Sequence, residues 1–267
     1  MELFLLKDGN PDAVEPAHGV YLNLDSHGSR IFGRLLLPDF FDQESCCPVV
    51  LMLHGQPGGD KNFDIAEALR ANGYGVAVIS YRGIWGSHGY YRLSHNIEDV
   101  IATVDFLREK AATYRLDPEK VFLFGHSMGG FSALNAMARG LKVSGAVLMA
   151  PYDTGYTYLY DRENFTAVTN CKNRGYFNLD SENAFEEDAQ ANAESWCFRN
   201  LIPHLDQQAS YCFIDGAKDT TSRSTDALAE EMEQAGFRVS HHLLEDGHMF
   251  PLHRATIARI ALEHFGK

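Results

Sequence analysis

Positive charge is scarce in this 267-residue sequence: 23 Lys and Arg stand against 36 Asp and Glu, a formal net charge of −13. No lysine- or arginine-rich run breaks that balance. A nucleic-acid partner, which needs a basic surface to displace counterions, is therefore not expected. Long apolar runs are lacking too. None approaches the roughly 18–20 residues of a membrane span, and the opening Met1–Leu6 stretch is too short for the apolar core of a secretory signal. A soluble, cytoplasmic protein with no membrane partner is the expectation. Cysteine is sparse and odd in number: Cys46, Cys47, Cys171, Cys197 and Cys212 form neither a C-x-x-C pair nor a zinc-ligand spacing, which points to reduced thiols. The 12 histidines are scattered with no H-E-x-x-H, and no phosphate-binding glycine loop ends in G-K-[ST]. Neither a metal nor another cofactor is expected.

What is present is an alternation of strand and helix patterns. Val20–Leu24 and Ile31–Leu37 flank the turn-forming stretch Asp25–Ser29 and read as two joined strands. Short apolar runs follow at Val49–Leu53, Gly75–Ser80, Val121–Phe124, Ala146–Met149, Tyr211–Ile214 and His242–Leu244. Continuous apolarity suits strands covered on both faces. Helical spacing appears between them at about Phe63–Asn72, His95–Tyr114, Gly129–Arg139, Ser222–Ala235 and Leu252–Phe265. The class implied is α/β, a mostly parallel open sheet with helices on both faces. One stretch breaks the rhythm. From 152 to 205 there is no clean strand but many aromatics and carboxylates, too long for a simple connection. The expected organisation is a core domain made of 1–151 and 206–267 with an inserted helical cap over 152–205.

The sharpest local signal is Val121-Phe122-Leu123-Phe124-Gly125-His126-Ser127-Met128-Gly129-Gly130, a strand that runs into G-x-S-x-G and at once into a helix. A serine on so abrupt a turn needs neighbours without side chains, and the helix N-terminus offers N–H groups where negative charge would develop. Ser127 is the candidate nucleophile. Its hydroxyl needs a base, and the base needs an acid to orient it. With this kind of turn both lie downstream, at strand ends. His248, on the glycine-bearing loop Glu245–Phe250, is the candidate base; His241 and His242 sit at or within a strand and read as solvated histidines. For the acid, Asp219 in Asp215–Thr221 is favoured, with Asp153, just after the preceding strand, as the alternative. Asp215 reads as a turn former, and Asp246 is close to His248 in sequence but not aimed at it.

A tetrahedral intermediate needs two N–H donors. Met128 supplies one. The other is expected from His54-Gly55-Gln56-Pro57-Gly58-Gly59, where Gln56 is chosen because Pro57 has no N–H. His54 reads as a buried loop anchor.

The ordered set HGQPGG (His54–Gly59), YRGIWGSHG (Tyr81–Gly89), IEDVIATVDFL (Ile97–Leu107), LDPEKVFLFGHSMGG (Leu116–Gly130), GAKD (Gly216–Asp219) and DGHMF (Asp246–Phe250) resembles the α/β-hydrolase superfamily. Within it, the closest likeness is to the catalytic domain of the prolyl oligopeptidase family and its stand-alone, esterase-like relatives. The resemblance implies a cofactor-free serine hydrolase with Ser127, Asp219 and His248 as its triad. It also makes Tyr81 a candidate third donor at the oxyanion hole, or else a strand-end packing residue. The family's propeller has no counterpart, so its peptide specificity does not transfer. Trp85 and Tyr90 are the candidate pocket residues beside Tyr81. A carboxylic ester is the expected substrate. An aminopeptidase or small-peptide amidase is the alternative, with Glu186 and Glu187 as a candidate ammonium anchor, and a non-catalytic small-molecule binder is the third reading.

Overall fold

The short apolar runs build one eight-stranded sheet. The computed structural model describes residues 6–170 and 175–266. Its strands are β1 (His18–Ser26), β2 (Ser29–Leu37), β3 (Cys47–Leu53), β4 (Gly75–Ile79), β5 (Leu116–His126), β6 (Gly145–Met149), β7 (Ser210–Gly216) and β8 (Arg238–Leu244). They lie in the order β1-β2-β4-β3-β5-β6-β7-β8. The β1–β2 and β2–β4 pairs are antiparallel and the remaining pairs parallel.

The unbroken apolarity of the central strands has a direct cause. Successive side chains point to opposite faces, and each face is covered by helices. Leu51, Leu123, Leu148 and Phe213 enter one core, while their neighbours Val50, Phe122, Val147 and Cys212 enter the other. The first core is closed by α2 (Leu93–Glu109) and α4 (Met128–Ala138), the second by α1 (Phe63–Ala71) and α10 (Arg254–Phe265). α3 (Ala111–Tyr114) is a separate short helix, because the expected single helix over 95–114 is interrupted at Lys110 and ends on Arg115 in the left-handed region, φ 55°.

Two boundaries differ from expectation for identifiable reasons. β8 begins at Arg238, earlier than its apolar residues suggest, because it is an edge strand paired only with β7. α9 (Asp226–Gln234) starts four positions after Ser222. The intervening backbone is taken by two carboxylates: Asp219 accepts from Thr221 and Ser222 N–H, and Asp215 from Thr225 N–H.

Between β6 and β7 the chain forms α5 (Thr154–Tyr160), α6 (Arg162–Thr169), α7 (Ala184–Trp196), α8 (Phe198–Leu201) and a 3₁₀ turn at Ile202–His204. This insertion shares the first core. Trp196 meets Phe131 of α4 edge-on at 5.1 Å, and both are fully buried. α5 crosses α7 so closely that a Cβ on Gly155 would lie 2.3 Å from Ala193 O. The insertion is also tied to the loop after β4. Asn178 N–H donates to Gly83 O and accepts in turn from Tyr91 N–H at its own carbonyl, both at 2.8 Å. Arg92 reaches Asp180 and Glu187, and Asp188 accepts from the N–H and hydroxyl of Ser94.

That same loop is anchored from below. Asp99 of α2 is 0% exposed and accepts from Arg82 Nε at 2.6 Å, Arg82 N–H at 2.8 Å and Ser26 Oγ at 2.7 Å. Burial pushes the Asp99 carboxyl above its usual range, with Arg82 pulling the other way. Breaking such a pair strands a charge in the interior, so the network holds the Tyr81–Gly89 stretch in place above the sheet. No helix among the described residues is long and apolar enough to cross a membrane. Cys46, Cys47, Cys197 and Cys212 take part in no disulfide among the described residues; Cys171 lies outside them.

Candidate active site

The turn from β5 to α4 is as tight as its glycines require. Ser127 has φ 55° and ψ −117°, a conformation that a side chain rarely adopts and that costs on the order of 1–3 kcal/mol. A Cβ on Gly125 would lie 2.6 Å from Gly129 O, and one on Gly129 would lie 2.0 Å from Leu53 O. Neighbouring strands hold the strain in place: Ser127 N–H donates to Met149 O of β6, and Ser127 O accepts from Gly130, Phe131 and Tyr152 N–H. The hydroxyl is thus lifted off the sheet beside the first N–H of α4, that of Met128.

Ser127, His248 and Asp219 are brought together in sequence. Asp219 Oδ2 lies 2.7 Å from His248 Nδ1, and His248 Nε2 lies 2.9 Å from Ser127 Oγ. A carboxylate only accepts, so Nδ1 carries the hydrogen and Nε2 presents its lone pair to the serine hydroxyl. Burial by itself would raise the Asp219 pKa; the hydrogen bond and charge of His248, with the Thr221 and Ser222 N–H groups on Oδ1, bring it below the ordinary value.

The other carboxylates are committed elsewhere. Asp153 turns into the insertion, where Oδ1 accepts from Tyr156 N–H at 2.9 Å and Oδ2 from Phe198 N–H at 3.1 Å. Burial pushes it up to about 6. Asp246 folds the His248 loop by accepting from Gly247 and Leu252 N–H and pairing with His253 at 2.9 Å. Asp215 holds Thr225 and lies 2.9 Å from His241 Nε2, so His241 is a hydrogen-bond partner of a buried carboxylate rather than a solvated histidine.

The His54–Gly59 loop lies directly on the serine. A Cβ on Gly55 would sit 3.1 Å from Ser127 Cβ and 3.6 Å from its Oγ, which places the Gln56 peptide beside the nucleophile. Trp85 braces this loop by donating from Nε1 to Pro57 O at 2.7 Å, and its ring stacks at a tilt on Tyr176. Tyr90 is half exposed on the same stretch and takes part through its carbonyl, which His95 Nδ1 meets at 2.8 Å. Tyr81 is 0% exposed beneath this loop, with its ring 4.6 Å from that of His54.

Two buried histidines complete the surroundings. His54 Nδ1 donates to Gly55 O at 2.7 Å, which fits the expected loop anchor. Nothing in the sequence singles out His126, which occupies the variable position of G-x-S-x-G. Its Nε2 donates to the carbonyl of His248 at 3.0 Å, bracing the histidine that meets Ser127. Only the pairing across 122 positions reveals it. Burial drives both His54 and His126 down to about 3. Both are therefore neutral in the folded chain and gain a proton near 6.5 on unfolding. The folded value is the lower one, so their contribution to stability is complete above about 6.5 and is lost as pH falls towards 3. Each should add about 1.4 kcal/mol of stability lost per pH unit within that window. Urea unfolding at a series of pH values checks this, and His54→Leu should remove one histidine's share of the slope. A profile flat below pH 6.5 would contradict it.

Among the described residues no group of His, Cys, Asp and Glu is placed to hold a metal ion. The arrangement is thus a carboxylate, an imidazole and a serine hydroxyl in line, beside a helix N-terminus and a backbone loop.

Comparison with known proteins fits this geometry. A model of the family described as serine aminopeptidase, S33, matches residues 45–169. Esterase B from Lactobacillus rhamnosis superimposes with a TM-score of 0.71 over 96% of this chain and 89% of its own, at 16% identity. Acylaminoacyl peptidase from Pyrococcus horikoshii also gives 0.71, over 95% of this chain and 42% of its own, at 15% identity. The chain has the α/β-hydrolase fold. It resembles the prolyl oligopeptidase family, as its ordered motifs imply. Curated relatives of this chain include the quorum-quenching protein AidA of Acinetobacter baumannii, 27% identical over 43% of this chain and 38% of that protein. Liver carboxylesterase B-1 of Rattus norvegicus is 28% identical over 45% of this chain and 24% of its own. The matched stretch thus spans well under half of those relatives.

Proposed function

We propose that this α/β-hydrolase cleaves carboxylic esters through an acyl-enzyme. The observation that carries the reading is the unbroken relay from Asp219 through His248 to Ser127, at 2.7 and 2.9 Å, on a strained strand-to-helix turn. Ser127 Oγ attacks the ester carbonyl carbon while His248 Nε2 takes the hydroxyl proton. The carbonyl oxygen becomes an oxyanion held by the N–H groups of Met128 and Gln56, each worth about 2.7–4 kcal/mol of barrier. The tetrahedral adduct collapses as the C–O bond to the alcohol breaks and His248 returns the proton to the departing oxygen. Water, deprotonated by the same imidazole, then releases the acid and restores Ser127.

An ester is favoured over an aminopeptidase substrate because the carboxylates that would anchor a free amine are occupied. Glu186 takes a two-pronged contact from Arg162 at 2.7 and 2.8 Å and a hydrogen bond from Tyr158. Glu187 pairs with Arg92 and accepts from Ser181. The name of the matched family and the peptidase among the structural relatives support the other reading. p-Nitrophenyl acyl esters and aminoacyl p-nitroanilides compared on the same preparation decide between them. Ester turnover should exceed anilide turnover by at least about a hundredfold in kcat/KM, some 2.7 kcal/mol. Efficient anilide cleavage that falls on Glu186→Gln would overturn the ester reading.

A further inference from the structure

One cavity lies away from the relay. It measures about 680 Å³ and opens between the insertion and the segment entering α9, with none of Ser127, His248, Asp219, Gln56 or Met128 in its wall. That volume suits a small organic ligand. Much of the lining is apolar: Tyr156 and Leu159 from α5, Phe198 from α8 and Leu228 from α9. Two arginines reach it, Arg199 and Arg223. They differ in one respect. Arg199 is paired with Glu231 at 2.7 Å, whereas Arg223 makes no ion pair among the described residues and lies flat on Tyr156, 3.6 Å from the ring centroid. A guanidinium stacked on a ring keeps its N–H edge free for a planar anion, although a chain of net charge −13 offers no shortage of internal carboxylates. Asp153, on the cavity wall, feels the Arg223 charge but makes no ion pair with it; its two oxygens accept the backbone N–H groups of Tyr156 and Phe198.

We propose that this cavity is a second ligand site for a small organic carboxylate with an apolar tail, the carboxylate on Arg223 and the tail among Tyr156, Leu159, Phe198 and Leu228. Its position gives it a route to the relay. Arg223 follows Ser222, whose N–H donates to Asp219 Oδ1 at 3.1 Å and whose hydroxyl donates to Ala150 O at 2.8 Å. A ligand held by Arg223 therefore bears on the loop that orients Asp219. The proposal does not rest on the ester reading, although an acid released from an ester belongs to the same chemical class.

Isothermal titration of the full chain with octanoate, octan-1-ol and octylamine tests it. Octanoate should bind one to one and at least about tenfold more tightly than either the alcohol or the amine. Arg223→Leu, an exposed change that keeps the stem, should cost at least about tenfold, Leu228→Trp should abolish binding by filling the cavity, and Arg199→Leu should leave it within about threefold. Thermal melts confirm that each variant is folded. No saturable octanoate binding in the millimolar range, equal binding in Arg223→Leu, tighter binding of octylamine, or binding that survives Leu228→Trp would each overturn the proposal. None of these readouts depends on turnover, so failure here is distinguishable from failure of the ester reading.

Discussion

Ser127→Ala is expected to lower kcat on a p-nitrophenyl ester by about six orders of magnitude, and to abolish labelling by a fluorophosphonate. Both effects follow from one atom. Every proton movement in the proposed cycle passes between Oγ and His248 Nε2, which lie 2.9 Å apart, so without Oγ only the oxyanion donors remain to act on bound ester. A residual rate of about 10³–10⁴ over water is what such donors sustain alone. Stability should change little, because Ala keeps the same backbone and loses one hydrogen bond, worth about 1 kcal/mol. An unchanged melting temperature beside a lost rate separates the chemical role from a structural one. Labelling that survives the substitution would show that the nucleophile lies elsewhere.

Asp219→Asn should cost about 10⁴ in kcat while leaving substrate binding largely intact. The direction follows from the hydrogen bonds around the carboxylate. Oδ1 accepts from Thr221 and Ser222 N–H at 2.7 and 3.1 Å, and only an oxygen can occupy that position. The amide nitrogen of Asn would then face His248 Nδ1, now 2.7 Å from Oδ2. An N–H there forces the lone pair onto Nδ1 and the hydrogen onto Nε2, where it can no longer take the proton of Ser127. Asp153→Asn is the matched control, since that carboxylate caps α5 and Phe198. Its effect on kcat should stay within about tenfold, with any larger change read in the melting temperature. The reverse ranking in steady-state kinetics would move the acid to Asp153.

How much of this was legible in the chain depended on the range of the forces involved. The turn at Ser127 is a local steric problem: Gly125, Ser127 and Gly129 sit within five positions, and the packing distances around them explain why those residues stand there. The buried strands were legible because helices cover both faces of the sheet, which leaves continuous apolar runs. β8 was legible only in its last residues, since an edge strand tolerates polar side chains such as Arg238 and Ser240. The Tyr81 reading was open because a tyrosine at a strand end looks alike whether it faces a pocket or, as here, the ring of His54. Glu186 and Glu187 looked like an available acidic pair, yet their cations, Arg162 and Arg92, come from 24 and 95 positions away.

The sequence by itself determined an α/β alternation in a chain of net charge −13, the strand–serine–helix turn and the downstream candidates for an acid and a base. These depend on composition, period and nearest-neighbour sterics, all of which are written along the chain. Which carboxylate meets His248 was decided only by the tertiary structure, because a carboxylate points where its N–H donors lie. Those of Asp219 follow it at once, at Thr221 and Ser222, and leave Oδ2 for the imidazole; one of those of Asp153 is Phe198, 45 residues on and inside the insertion. The brace from His126 to His248 and the stacking of Arg223 on Tyr156 in its cavity were decided in the same way, by contacts between segments whose neighbourhood exists only after folding.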